Sequence, residues 1–169
     1  MLHTLSLSLL PLLMIAAAVS DVARMKIPNW LTGFLALSFF PMALLIGMPP
    51  SDIAWHVAGG AALFALGFLL FSVGLYGGGD AKLMAAAGLW FGTSQTLPFL
   101  VATVGVGGLL CLAFMAWSFL VFTFDLHGPE VRGGRGFIRQ MMNVNVPYGL
   151  AIAAGAIIAF PETPWVNVA

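Results

Sequence analysis

The chain has 169 residues, 61% hydrophobic and 7% charged, where soluble domains are roughly a quarter charged, so its composition suits a lipid bilayer. Six Lys and Arg balance six Asp and Glu, which leaves no basic excess for a phosphate backbone and no acidic tail, and so excludes nucleic-acid binding and disorder. Cys111 is the single cysteine, which excludes an internal disulfide framework and a tetracysteine zinc site. A membrane span takes about 20 residues, so this length allows at most about six spans, and the expectation is one membrane-embedded unit over 1–169 without a large extramembrane domain.

In chain order, the first uncharged run covers 2–20. It has the look of a secretory signal core, but no Lys or Arg precedes it and the first arginine is Arg24, so it is read as the first span. The second run covers 30–48, with Pro28 and Asn29 marking its start, and the third covers 53–76. The run from 83 to 124 is too long for one span, and Gly92-Thr93-Ser94-Gln95-Thr96-Leu97-Pro98 carries turn and breaker residues, so it is divided there. The last run covers 146–160. The expected fold is therefore all-α, a polytopic membrane protein of about six transmembrane helices, the fourth (about 81–92) and the sixth (about 147–160) shorter than a full span.

Positive residues in short loops stay on the cytoplasmic side. Arg24 and Lys26 fall in the first loop, Lys82 borders the third, and Arg132, Arg135 and Arg139 lie in the fifth, which places both termini outside. If 83–124 were one helix, Lys82 and the three arginines would fall on opposite sides, so the charges support the division independently. In the fifth loop, about 125–145, Phe137, Ile138, Met141 and Met142 form a stripe opposite Arg135, Arg139 and Asn143. That pattern suits a helix lying on the inner membrane surface, read as a basic anchor on anionic lipid in preference to a substrate-docking element.

Six acids can be judged singly. Asp52 and Glu162 fall outside; Asp21, Asp80, Asp125 and Glu130 fall inside. Asp125 and Glu130, beside His127 and Gly128-Pro129, read as solvated loop residues. Asp80 follows Gly77-Gly78-Gly79 at the entrance to the short fourth helix, whose roughly 14 residues span about 20 Å. In a core about 30 Å thick this leaves Asp80 about 10 Å inside the inner boundary, where an ionisable group is a functional candidate. Irregular backbone at that depth must be packed in protein or line a wet cavity, and glycine there allows positive φ and the close approach of a peptide. The competing reading is a glycine-rich loop with an aspartate capping the helix. Asp21 closes the first helix on the same side, so two aspartates from different helices can meet. Such a pair shares a proton, one carboxylate acting as base on water and the other as acid on a carbonyl oxygen, with no metal or organic cofactor required. His3, His56 and His127 are scattered, without a serine partner or a metal-ligand cluster. Cys111 reads as a packing residue, and the Gly88–Gly92 spacing as a close helix crossing.

At these residues the chain resembles the prepilin peptidases, the type IV leader peptidase family of GxGD aspartic proteases, in the short form associated with Flp-type pili. Asp21 with Arg24 and Ile27-Pro28-Asn29 resembles the first-aspartate segment, Gly77-Gly78-Gly79-Asp80-Ala81-Lys82 the GxGDxK segment, and Val146-Pro147-Tyr148-Gly149-Leu150-Ala151-Ile152 through Gly155 the final helix. The resemblance implies that Asp21 and Asp80 are the catalytic pair of an aspartic endopeptidase in the bacterial inner membrane. It would remove the basic leader of a prepilin or pseudopilin precursor at the cytoplasmic face, after a glycine. Gly77 and Gly79 would shape the substrate cleft. Lys82 would hold Asp80 or a substrate carboxylate, or serve as a snorkelling anchor. Longer members carry a segment with paired cysteines and an N-methyltransferase activity; with Cys111 alone, peptidase activity only is expected. Two other classes use the same acids: a transporter or channel subunit in which Asp21 and Asp80 bind a cation or relay protons, and a pilus-assembly scaffold without catalysis. A transporter would need a pathway to the outer face, yet the outer half has no acid or base in mid-helix and only Asp52 and Glu162 in end loops.

Overall fold

A computed structural model of the chain describes residues 2–123 and 146–166, with side chains over 7–121 and 146–166. The 125–145 loop, its surface helix, Asp125, His127, Glu130 and the three loop arginines lie outside the described residues. Among the described residues five helices follow one another: α1 (Leu2–Arg24), α2 (Asn29–Leu45), α3 (Pro50–Ser72), α4 (Gly78–Thr123) and α5 (Tyr148–Ala159), with a 3₁₀ turn over Phe160–Glu162. There is no strand among the described residues. Leu7–Arg24, Pro50–Ser72 and Gly78–Val121 are long and apolar enough to cross a membrane, and Asn29–Leu45 and Tyr148–Glu162 are shorter apolar helices.

The expected fourth and fifth segments are the two halves of α4, which breaks at Gly92 with φ 62° and ψ −174°. Only glycine holds that conformation without strain. Of the stretch expected to form a turn, Gly92 alone departs from the helix; Thr93 to Pro98 are helical. Long-range partners cap the carbonyls that end the first half. His56 Nδ1 donates to the Leu89 oxygen at 2.7 Å, and Trp165 Nε1 donates to the Trp90 oxygen at 2.6 Å. Phe91 and Phe99, one on each side of the break, stack with centroids 4.7 Å apart and planes 4° from parallel. The break is thus a packed junction between two rods.

α4 is the centre of the bundle: α3, α5 and α2 pack on it, while α1 packs on α5 and touches α2. The α3–α4 crossing depends on missing side chains. A Cβ on Gly59 would stand 2.6 Å from the Gly92 carbonyl carbon, and one on Gly88 would stand 3.0 Å from Gly60 Cα. Trp90, Phe39, Phe91, Phe99 and Trp165 fill the interior, and the Trp90 indole donates to the Leu35 carbonyl at 2.9 Å, tying α4 to α2. Large apolar side chains such as Trp30, Leu37, Val104 and Leu109 point outwards, which acyl chains tolerate and water would not.

Candidate active site

α1 runs one turn beyond the expected end, so Asp21 lies inside its last turn. Met25, with φ 50°, then ends the helix, its N–H donating to the Asp21 carbonyl at 2.7 Å. The chain turns back through Lys26, whose carbonyl accepts from Ser20 Oγ at 2.8 Å, and Ile27 is carried inwards. Asp21 is 6% exposed. Its Oδ2 accepts the Gly149 N–H at 2.8 Å, so the carboxylate sits on the N-terminus of α5, where unpaired N–H groups and the helix dipole favour an acceptor.

Asp80 belongs to the first turn of α4. Gly78 and Gly79 are helical, and neither they nor Gly77 has positive φ, which corrects the expectation of an irregular triple-glycine loop. What these glycines provide is proximity. A Cβ on Gly79 would stand 3.3 Å from Ile27 Cβ, and one on Gly77 would stand 2.7 Å from Asp80 Oδ2. Asp80 Oδ2 also accepts the Gly77 N–H at 3.3 Å, so the aspartate is not the N-cap of the competing reading but the third residue of the helix, reaching back to the N-cap N–H, and it is half-buried while doing so. Ile27 joins the two acids: its Cδ1 lies 2.8 Å from where a Gly149 Cβ would be, beside Asp21, while its Cβ faces Gly79.

Residues 8–112 match the type IV leader peptidase family. The chain belongs to that family. No curated protein and no solved structure matches it. The matched region holds Asp21, Gly77, Gly79, Asp80 and Lys82, and membership makes the protein a membrane protease of the leader-peptidase type with a prepilin-type substrate.

Other features of this leader peptidase emerge only in three dimensions. Gly149, outside the matched region, supplies the donor that fixes Asp21. The rings of Tyr76 and Tyr148, next to Gly77 and Gly149, meet at 5.3 Å and join the α3–α4 turn to α5; Tyr148 OH lies 3.6 Å from Cys111 Sγ. Lys82 does not turn to Asp80: its ammonium donates across to Asn29 Oδ1 on α2 at 2.9 Å. At the opposite end, beyond the 23 residues of α3 or about 34 Å, Asp52 and His56 line a separate cavity of about 530 Å³ with Gly92 and Ser94. Among the described residues there is no cluster of His, Cys, Asp and Glu able to hold a metal.

Proposed function

We propose that the protein is an aspartic endopeptidase of the bacterial inner membrane. It removes the cytoplasmic leader of Flp-type prepilins or related pseudopilins by cleavage after a glycine, with Asp21 and Asp80 as the catalytic pair. The observation that carries this reading is that Ile27 packs both beside Asp21 at Gly149 and against Gly79, the residue before Asp80, with Asp21 held by the start of α5.

In the proposed chemistry, the ionised member of the pair takes a proton from water as the water oxygen bonds to the scissile carbonyl carbon. The protonated member gives its proton to the carbonyl oxygen. The resulting gem-diol collapses as the first carboxyl returns its proton to the leaving nitrogen and the other recovers one from the diol, so the C–N bond breaks and the pair is reset. Gly149 prevents Asp21 from swinging away between steps, and Gly77 and Gly79 let the substrate backbone come close to Asp80. Chain 1–169 acts as a single membrane-embedded unit of six spans, with this end of the bundle at the cytoplasmic face. Arg24, Lys26 and Lys82 all belong to that end, as positive residues on the inner side should.

The test is leader removal from a Flp-type precursor of the same cell in reconstituted membranes, read by mass spectrometry. Wild type cleaves after one glycine. Asp21→Asn and Asp80→Asn each lose at least about 10²-fold in rate, the scale of an acid–base contribution, and Asp52→Asn at the far end keeps full activity. Wild-type rates in either of the first two variants would overturn the pair.

A further inference from the structure

Each aspartate of the candidate pair accepts a backbone N–H, and the residue before each donor is a tyrosine. The Gly77 N–H reaches Asp80 Oδ2 at 3.3 Å and follows Tyr76; the Gly149 N–H reaches Asp21 Oδ2 at 2.8 Å and follows Tyr148. The local backbone sets both tyrosines. α3 stops at Gly74, with φ 77°, and the N–H groups of Leu75 and Tyr76 both return to the Leu70 carbonyl, at 2.9 and 3.3 Å. This glycine-ended stop fixes where residue 76 leaves the helix. Tyr148 opens α5 directly after Pro147, and the Leu150 N–H returns to the Pro147 carbonyl at 3.2 Å. The two half-buried rings meet with centroids 5.3 Å apart and planes 39° from parallel. Tyr148 also rests on the second half of α4, its Cε1 3.9 Å from where a Gly107 Cβ would be and its hydroxyl 3.6 Å from Cys111 Sγ.

We propose that Tyr76 and Tyr148 are positioning residues for the aspartate pair: their ring contact holds the Gly77 and Gly149 donors, and through them the two carboxylates, in fixed relation. The assignment rests on the peptidase reading above. Ile27 already links the two segments through one side chain, at Gly79 and at Gly149, but segments joined at one point can rock about it. The aromatic pair is a second point of contact, and because its attraction depends on ring geometry it resists sliding as well as separation. A reacting group displaced by about an ångström loses about 10²-fold in rate, so a contact one residue away from each donor should be visible in turnover. The tie runs ring to ring, while the Tyr148 hydroxyl makes only a long contact to a thiol, so the role belongs to the rings and not to the hydroxyls.

The test is leader removal by the full chain, reconstituted with a Flp-type precursor, carrying Tyr76→Leu or Tyr148→Leu, which keep bulk and remove the ring, or Phe at either position. Each Leu variant should lower kcat about tenfold with KM for the precursor within about twofold of wild type. Both Phe variants should match wild type. The double Leu variant should be no slower than either single one, since both remove the same contact. A packing role alone would reduce the folded fraction in detergent and leave turnover per folded molecule unchanged. Wild-type kcat in a folded Leu variant therefore overturns the assignment, as does a raised KM with kcat retained, which would make the rings a substrate contact. An equal loss in the Phe variants, or a multiplied loss of about 100-fold in the double variant, overturns it as well. Tyr76 lies in a turn and Tyr148 in a helix, so if one Leu variant does not fold, the other tests the same contact from its opposite side. Cleavage by the unsubstituted protein, scored alongside, separates the two claims. Unimpaired Leu variants beside an active wild type refute the positioning role alone, and absence of cleavage by wild type refutes the peptidase reading and the positioning role with it.

Discussion

Gly149 acts through its N–H and through the side chain it lacks. The N–H holds Asp21 Oδ2 at 2.8 Å, and a methyl in place of its hydrogen would stand 2.7 Å from that same oxygen and 2.8 Å from Ile27 Cδ1. Asp21 and Ile27 cannot both keep their places, so Gly149→Ala should displace the carboxylate and slow leader removal about 10²-fold, the usual cost of a reacting group misplaced by an ångström. Gly105→Ala is the matched control, because nothing lies within 4 Å of a Cβ there, and it should cleave at the wild-type rate. Equal rates in the two variants would show that Asp21 needs no help from α5. Asp21 and Asp80 stood out as candidates in the sequence because an apolar chain with six acids makes each one conspicuous. Gly149 was not, since its role is a contact with a residue 128 positions away; only the resemblance of 146–155 to a final helix pointed towards it.

The break in α4 shows the same division at the level of elements. Its place was visible in Gly92 and in the charge alternation, from which two crossings are expected between Lys82 and the loop arginines. Its construction was not, because the groups that satisfy the freed carbonyls come from α3 and from beyond α5. His56, read from the sequence as one of three scattered histidines, is a buried cap whose ring stacks on Phe39 at 5.3 Å and lies against Gly92. His56→Ala and Trp165→Phe should each destabilise the protein by about 1–3 kcal/mol, the cost of leaving a buried acceptor unpaired. Gly92→Ala should cost about as much through backbone strain alone, with the His56 ring 3.1 Å from the added carbon in addition. Denaturation in detergent would measure all three. The cap variants should retain cleavage per folded molecule, since the caps lie at the end of the bundle away from Asp21 and Asp80; an active-site defect without loss of stability would contradict that separation.

On the scale of the whole molecule, what organises the bundle is the membrane itself. Side chains such as Trp30, Leu44, Val104 and Leu109 are each about two-thirds exposed or more, so the interior holds a limited set of aromatic and aliphatic side chains, among them Trp90, Phe39, Leu83 and Ile152, together with glycine contacts, and lipid solvates the outward-facing ones. The ends of the bundle differ in charge. Arg24 and Lys26 follow α1, and Lys82 enters α4 beside Asp80, whereas the other end carries Asp52 and Glu162 and no Lys or Arg among the described residues. That asymmetry sets the proposed orientation, because translocating Lys and Arg is disfavoured, and it puts the two aspartates on the side where a prepilin leader is found. Lys26 and Ser51 are both exposed, one in the α1–α2 connection and the other in the first turn of α3, so they report the two faces. Cys111 must first be replaced; among the described residues its polar contact is a weak one, to Tyr148 at 3.6 Å, and Cys111→Ala should keep most of the activity. In that background Lys26→Cys should react with a membrane-impermeant maleimide only from the cytoplasmic face, and Ser51→Cys only from the opposite one. Labelling of both from one side would mean that the α1–α2 and α2–α3 connections share a face. α2 would then fail to cross, and the aspartates would lose their assigned side even if the pair were correct.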